Sequence, residues 1–423
     1  MPPARSAKRA SAESLSGDRL SALPDGVLHT ILSFLPAPEA VRTSALSRRW
    51  RHLWRTAPCI KIDMREFGIT LVTSGGDLSE KWRKFEDFTT SLLLFRSGTI
   101  SLDRFRLDAR PHCLRVVDRW VRRGLMYCPQ VLEVLMWGTS GGVFRFPHLG
   151  ASSCRLKRLH LHGVHLDSDF AEQIQSGCLM LEELELKICT LGFQEITSRS
   201  LKRLIIDTTL RNLTGGHFVI TAPCLLYLRI RDLFGCYPNG IFVHVTDSLV
   251  KAIISLSDQG KTFSLGNQRR LLVDLCNVPN LELGGFQTKA MLIGELDKFP
   301  IFRNMQTLKL IDCFHDNHDL YDKLEALGTF LQNAPCLKKL TLQGCMFEVD
   351  FGMEGQIVRK SISLPHEGRK IFQCPKMKSV EVIYEGDHDN QLLELLWGIG
   401  RILPNVTVTV TNIDCAVINF DSP

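Results

Sequence analysis

LEELELK, Leu181–Lys187, sets Leu184 and Leu186 in alternation with Glu183, Glu185 and Lys187. That is the period of two of a strand with one face buried and the other in water. Outward from it, the phrase Leu-x-x-Leu-x-Leu recurs with drift. Upstream copies are Leu156-Leu159-Leu161 and Leu102-Phe105-Leu107, and downstream copies are Leu201-Leu204-Ile206, Leu225-Leu228-Ile230, Met305-Leu308-Leu310, Leu337-Leu340-Leu342 and Met377-Val380-Val382. A further copy lies at Val131–Trp137, where two registers fit equally well. Several copies share a preamble of Cys or Ala, then Pro: CPQV, APCL twice, and CPKM. A unit repeating every ~20 to 30 residues cannot bury its apolar face alone, so its copies stack into an elongated array.

The period is that of leucine-rich repeats, and the array is expected to be irregular. Few copies carry the Asn or Cys that turns the chain after such a strand, though Cys189, Cys313 and, less neatly, Cys345 come close. Between Ile230 and Met305 the pattern is hard to follow. Asp247–Leu256 reads as a helix (Val250, Ile253, Ile254), Leu271–Leu275 as a strand-like run, and Val278-Leu281-Leu283 as a possible further unit. Asp319–Asn333 reads as a clearer helix, with Leu320, Leu324, Leu327, Phe330 and Leu331 on one side. Before the repeats, Phe67–Glu80 has the glycines of a loop, and Trp82, Phe85, Phe88, Leu92 and Phe95 predict a capping helix over Ser79–Arg96. After them, a strand, an acidic turn, a helix over Asn390–Leu403 and a strand over Val406–Val410 close the chain.

The N-terminal stretch LPDGVLHTILSFLPAPEAVRTSALSRRWRHLW, Leu23–Trp54, has a different period. Pro24 and Asp25 suit a helix start, and Leu28, Ile31, Leu32 and Leu35 recur at i, i+3, i+4 and i+7. Pro36 and Pro38 stop that helix and start a second one carrying Val41, Ala45, Leu46, Trp50, Leu53 and Trp54, with Ser44 and Ser47 as caps or breaks. A piece of about 40 residues buries too little apolar surface by itself, so a partner or the next domain is expected to cover the Leu28–Leu35 face.

The Leu-Pro-Asp, the helix-breaking Leu-Pro and the close VRTSALSRRWRHLW resemble the F-box in its plant form, over roughly Asp18–Ile60. The terminal strand–helix–strand resembles the FBD region that follows leucine-rich repeats in many plant F-box proteins. The expected architecture is an α/β solenoid: a leader (1–17), an all-α F-box (18–60), a linker and capping helix (61–100), leucine-rich repeats (101–348) and an FBD-like cap (349–423). The resemblance implies docking on a Skp-type adaptor and, through it, a cullin. The residues it assigns to docking are Leu23, Pro24, Leu28, Ile31, Leu32, Leu35, Pro36, Val41, Leu46, Trp50, Leu53 and Trp54.

Composition agrees with a protein of this kind. The 423 residues are 44% hydrophobic and 23% charged, enough for a sizeable core, and no run reaches the ~18 apolar residues of a membrane span. The basic leader MPPARSAKRASAES lacks the apolar centre of a secretory signal. The fourteen cysteines are scattered singly with no Cys-x-x-Cys, which points to free thiols in a reducing compartment, cytoplasm or nucleus. The sequons at Asn212 and Asn405 are then unused. The net charge of +6 is mild, and the Arg42, Arg48, Arg49, Arg51 and Arg55 cluster suits an acidic protein partner or solvent better than nucleic acid.

No phosphate-binding glycine loop, Gly-x-Ser-x-Gly or His-Glu-x-x-His occurs, so no catalysis and no cofactor is expected. His160 and His162 alternate with Leu159 and Leu161 and are expected to be solvated strand residues rather than metal ligands; the same holds for the polar cluster His315, Asp316, His318 and Asp319. No cysteine has the activating context of a ubiquitin-transferring nucleophile. A cullin-type ligase asks of its substrate receptor only geometry, which fits these absences. The outward strand positions then form the substrate surface, with Lys157, His160, His162, Glu183, Glu185, Arg203, Tyr227, Arg229, Lys309, Lys339 and Thr341 as candidates. Two other readings stay open: a hormone-type small-molecule receptor, and a non-catalytic protein-binding scaffold.

Overall fold

The leucine phrases become the rungs of one long sheet. In the computed structural model, thirteen strands lie side by side: Cys59–Asp63, Arg104–Ala109, Val131–Met136, Arg158–His162, Glu183–Lys187, Arg203–Asp207, Tyr227–Arg231, Lys251–Ser255, Asn280–Gly284, Thr307–Ile311, Lys339–Gln343, Ser379–Tyr384 and Thr407–Asn412. All neighbours are parallel and follow one another in sequence, each rung's residues facing the same positions of the next. The structure describes residues 19–412 except 71–74, 98–100, 111–112, 139–141, 208–215, 234–235, 245–246, 257–262, 289–298, 315–319, 346–373, 385–394, 401–402 and 404–405. The leader, the Asn212 sequon, Asn405 and the His315–Asp319 cluster lie outside the described residues.

Parallel strands need a crossover after each one, and here the crossovers build the second layer. Helices Leu114–Met126, Ser168–Ser176, Leu265–Asp274 and Leu320–Gln332 supply part of it. The short strands Glu195–Thr197, Phe218–Thr221 and Ile241–His244 pair in a small sheet of their own. Inward residues of every rung but the last, such as Leu184 and Leu186, are buried in one continuous core shared with this layer. Within it Phe146, Phe170, Phe193, Phe218 and Tyr237 form a chain of rings with centroids 6.0, 6.0, 6.1 and 4.9 Å apart. The buried Tyr237 hydroxyl donates to the Phe193 carbonyl at 2.5 Å, so the polar end of that ring is satisfied.

The turn out of each rung repeats as well. Gly163, Ile188, Asp232, Gly285, Asp312 and Gly344 follow the fifth residue of their strands, all in the left-handed region. Each donates its N–H to the carbonyl of the next rung's fifth residue, as Gly163 does to Lys187 and Asp312 to Gln343. Behind that turn, Cys189 donates its thiol to Leu161 and Lys187 carbonyls, and Cys313 to those of Leu283 and Ile311. Burial pushes the Cys189 thiol up to about 12, which keeps it protonated and able to donate. A Cβ at Gly163 would stand 2.2 Å from the Met136 carbonyl oxygen, whereas one at Gly150, also left-handed, would meet nothing within 4 Å. Gly163→Ala is therefore expected to cost more than the ~1–2 kcal/mol of a left-handed alanine, and Gly150→Ala about that amount alone. Denaturant titration of the two variants checks it; equal losses would contradict the stacking contact.

Four features depart from the sequence expectations. The helix expected over Asp247–Leu256 is the strand Lys251–Ser255, and the strand-like run Leu271–Leu275 falls in the helix Leu265–Asp274. In the first, Ala252 stands where other copies have Leu, so the phrase Leu249-Ala252-Ile254 was hidden, and a rung's inward and outward residues mimic i, i+3, i+4 spacing. In the second, Ser264 caps the helix by accepting from the Asn267 N–H at 3.2 Å, and a short apolar run is ambiguous by periodicity alone. The expected second N-terminal helix is broken into the helix Ala37–Arg42 and 3-10 turns at Thr43–Ala45 and Trp50–Arg55. The sheet begins at Cys59 and runs to Asn412. The helix expected over Ser79–Arg96 spans Gly75–Phe95, after the first rung rather than before the array. Near the end, residues 395–400 are helical, with Leu395 and Ile399 buried. Among the described residues no helix is long and apolar enough to cross a membrane.

Candidate interaction surfaces

The first surface is on the N-terminal helices. Asp25–Phe34 turns Leu28 and Leu32 onto Trp50, Leu53 and Ala57, a small core separate from that of the array, with Leu23, Ile31 and Leu35 partly buried around it. His29 Nε2 and the Thr56 hydroxyl lie 3.0 Å apart, and Arg49 donates to Asp25 at 2.7 Å and to the Ser21 carbonyl, tying the start of the unit to its last turns. The Arg49 hydrogen bond holds the Asp25 carboxyl below its ordinary range. The unit thus covers Leu28 and Leu32 itself, contrary to the expectation that another molecule or domain must.

The other side of the unit meets the array. Ala37 is part of the array's core, and Val41 and Trp54 pack against it. Arg96, buried at the end of the Gly75–Phe95 helix, donates to the Ala57 carbonyl at 2.6 Å and lies 5.3 Å over the Tyr127 ring. Burial lowers its guanidinium to about 10. What stays in water is a third side: Leu20, Val27, Phe34 and Leu46 are 54%, 44%, 79% and 62% exposed. Of the twelve docking residues named from the sequence, Leu28, Leu32, Trp50 and Leu53 are buried within the unit; only Pro24 and Leu46 are exposed. Val27 and Phe34 were missed because they lie off the Leu28–Leu35 stripe.

The second surface is the outward face of the sheet. Because the register is constant, its residues fall in columns. At the N-terminal end, Arg65 bridges Asp63 at 2.8 Å and Asp108 at 3.2 Å, and the Trp137 indole donates to Asp108 at 2.7 Å. Burial raises the Asp108 carboxyl, helped by Asp63 nearby. His162 is not solvated as expected: its ring stacks on Trp137 at 4.1 Å, its Nδ1 is 3.1 Å from the Met136 carbonyl, and it is 8% exposed. The neighbouring rung's tryptophan covers it.

His160 is half-buried among carboxylates, 3.6 Å from Glu133, 3.7 Å from Glu183 and 3.8 Å from Glu185. His160 foremost, with Arg104 and Arg106, holds the Glu133 carboxyl below its ordinary range despite burial. Ligand atoms of His160, Glu183 and Glu185 come within 4.8 Å of one another. Cations already occupy both carboxylates: Arg158 and Arg203 reach Glu183 at 3.4 and 3.0 Å, and Lys187 reaches Glu185. The cluster is an ion-pair network that a metal would have to break.

The other candidates spread along the same face. Lys157 is half-buried at a strand entrance, where its carbonyl accepts from Glu182 and Glu183. Arg203 lies over the Tyr227 ring at 4.0 Å, and Arg229 is next along. Lys309 is half-buried, and Lys339 reaches Glu381 at 2.8 Å. Thr341 is buried and its hydroxyl donates to Glu381 at 3.2 Å, so it is a support rather than an exposed contact. The face brings none of these residues into a catalytic constellation. Sequence reasoning missed Glu133, Asp207, Lys251, Ile253 and Glu381, which hold outward positions of the same sheet.

The F-box domain family model matches residues 20–61. The chain is 31% identical over 404 residues to the MEIOTIC F-BOX protein MOF of Oryza sativa subsp. japonica, covering 88% of this chain and 82% of that one. It is 29% identical to the F-box/LRR-repeat protein At4g14096 of Arabidopsis thaliana, over 78% of this chain and 74% of the relative. The F-box/LRR-repeat protein At3g59250 of the same plant is 28% identical over 82% and 79%.

Proposed function

The chain belongs to the plant F-box/LRR-repeat proteins, and from that premise we propose that it is the substrate-recognition subunit of a Skp–cullin–F-box ubiquitin ligase. Its F-box docks on a Skp-type adaptor, which carries it to a cullin, and the outward face of the sheet holds a target protein. The observation that carries this reading is the division of labour among the N-terminal side chains. Leu28 and Leu32 close the unit's own core, Ala37, Val41 and Trp54 fix it to the array, and Leu20, Val27, Phe34 and Leu46 are left as an apolar patch. A patch of that kind, held at a fixed angle by Arg96 and the Ala57 carbonyl, suits a partner that must place a substrate.

The chain supplies no nucleophile in this scheme. Ubiquitin transfer is done by other subunits, and this one contributes proximity and orientation. We read 349–423 as an FBD-like region whose strands extend the sheet, and the compartment as cytoplasm or nucleus. Affinity purification from plant cells with neddylation blocked, comparing wild type with Phe34→Asp/Leu46→Asp, tests the assignment. Skp-type adaptor and cullin are expected with the wild type alone, while substrates stay with both. Equal recovery of cullin with both proteins would reject the docking patch, and no cullin with either would reject the ligase role.

A further inference from the structure

One strip of the outward face differs from its neighbours in charge and polarity. Across the strands Arg203–Asp207, Tyr227–Arg231 and Lys251–Ser255, the central column reads Ile205, Arg229, Ile253. A guanidinium thus stands between two isoleucines. The Arg229 Nε is buried without a hydrogen-bond partner. Its ion-pair contact, Asp207, is 3.9 Å away and is shared with Arg231, also at 3.9 Å. Two guanidiniums divide one carboxylate at the limit of ion-pair range, and the exposed Lys251 adds a third cation.

Lys339 is matched more closely, with Glu381 at 2.8 Å, and so is Arg203 on the strip's own first strand, with Glu183 at 3.0 Å. The strip therefore carries positive charge in excess of its own acids. It also offers apolar area. The Tyr227 ring is held under the Arg203 guanidinium at 4.0 Å. Ile253 is half-buried, and Leu226 and Val250, joined by a 2.9 Å backbone hydrogen bond at the strand entrances, are 44% and 50% exposed.

We propose that this strip is the main contact for an acidic peptide segment of the substrate, in which an Asp or Glu is flanked by aliphatic or aromatic side chains. The proposal rests on the reading of the chain as a substrate adaptor. The planar guanidinium of Arg229, 29% exposed, accommodates a carboxylate in two parallel hydrogen bonds from its outer nitrogens. Pre-positioned tyrosine and arginine at the centre of a face are the residue types on which interface energy concentrates. A nucleic acid would ask for cations on successive rungs, but Glu185 and Glu282 flank the strip in this same column and Asp207 stands in the next.

The test uses the full chain and four sets of short fluorescent peptides: Glu flanked by Leu, Lys flanked by Leu, Gln flanked by Leu, and Glu flanked by Ser. The Leu-flanked Glu set is expected to bind at least about tenfold more tightly than the other three. Arg229→Gln should weaken it roughly ten- to hundredfold, the loss of a charged hydrogen-bond donor. Arg229→Lys, which keeps the charge without the fork, should fall between. Arg122→Gln, exposed on the Leu114–Met126 helix of the other layer, should change it less than about twofold, and thermal melting of each variant verifies the fold. Equal binding of the Lys-centred set, undiminished binding by Arg229→Gln, binding of none of the sets, or displacement of peptide by a single-stranded oligonucleotide would each overturn the proposal. Capture of a Skp-type adaptor by the same sample reads the ligase assignment separately, so either conclusion can fail without the other.

Discussion

Phe34→Asp with Leu46→Asp is expected to abolish capture of a Skp-type adaptor by the purified chain while leaving the N-terminal helices folded. Both side chains are largely in water in the free chain, at 79% and 62% exposure, so a charge there costs the fold little. In a complex that buries them, each forfeits the ~1.5–3 kcal/mol of a buried large apolar side chain, before any cost of burying a carboxylate. Together that is a loss of roughly a hundredfold or more in affinity. Leu32→Asp also removes binding, but by a different route. Leu32 is buried against Trp50 and Leu53, so a carboxylate there unfolds the unit, and circular dichroism and protease resistance separate the two outcomes. Undiminished adaptor binding by the folded double variant would move the docking site elsewhere.

Phe85→Ala is expected to cost about 3–5 kcal/mol of stability, in the range of a large aromatic removed from a packed interior. Phe85 is fully buried in the core between the Gly75–Phe95 and Leu114–Met126 helices. Its ring meets Phe67 at 5.3 Å, Trp82 at 5.4 Å and Trp120 at 5.5 Å, all three edge to face. These contacts dock the Gly75–Phe95 helix on the Leu114–Met126 helix, and Arg96 follows directly with its bond to the Ala57 carbonyl. The variant should therefore loosen the grip on the N-terminal unit as well as lower the melting temperature. Hydrogen exchange over residues 50–60 reads the first effect and a denaturant titration the second; Phe85→Leu should cost less than half as much. A loss under about 1 kcal/mol would mean that the junction is held by something else.

The array was legible where leucine marks both inward positions of a rung. Leu184 with Leu186 and Leu308 with Leu310 gave their strands directly, because period-two alternation is a local signal. It was hidden where a smaller residue stood in, as Ala252 does, and where the rung adjoined another motif, as Ile60 and Ile62 adjoin the F-box. The outward residues could be named from alternation, but not their environment. His162 is covered by Trp137 from the neighbouring rung, and Arg229 lies between isoleucines of two flanking strands, relations that exist only once the register is known. At the N-terminus the helical period picked out Leu28 and Leu32, yet could not tell which apolar side the unit closes on itself and which it leaves open. Phe34 and Leu46 are among the apolar side chains it leaves open.

Co-expression of the full chain with a plant Skp-type adaptor, followed by size-exclusion chromatography, tests the central claim most directly. The account predicts that wild type co-elutes with the adaptor in a stoichiometric complex and that Phe34→Asp/Leu46→Asp elutes folded and alone. Separate elution of wild type and adaptor would contradict it.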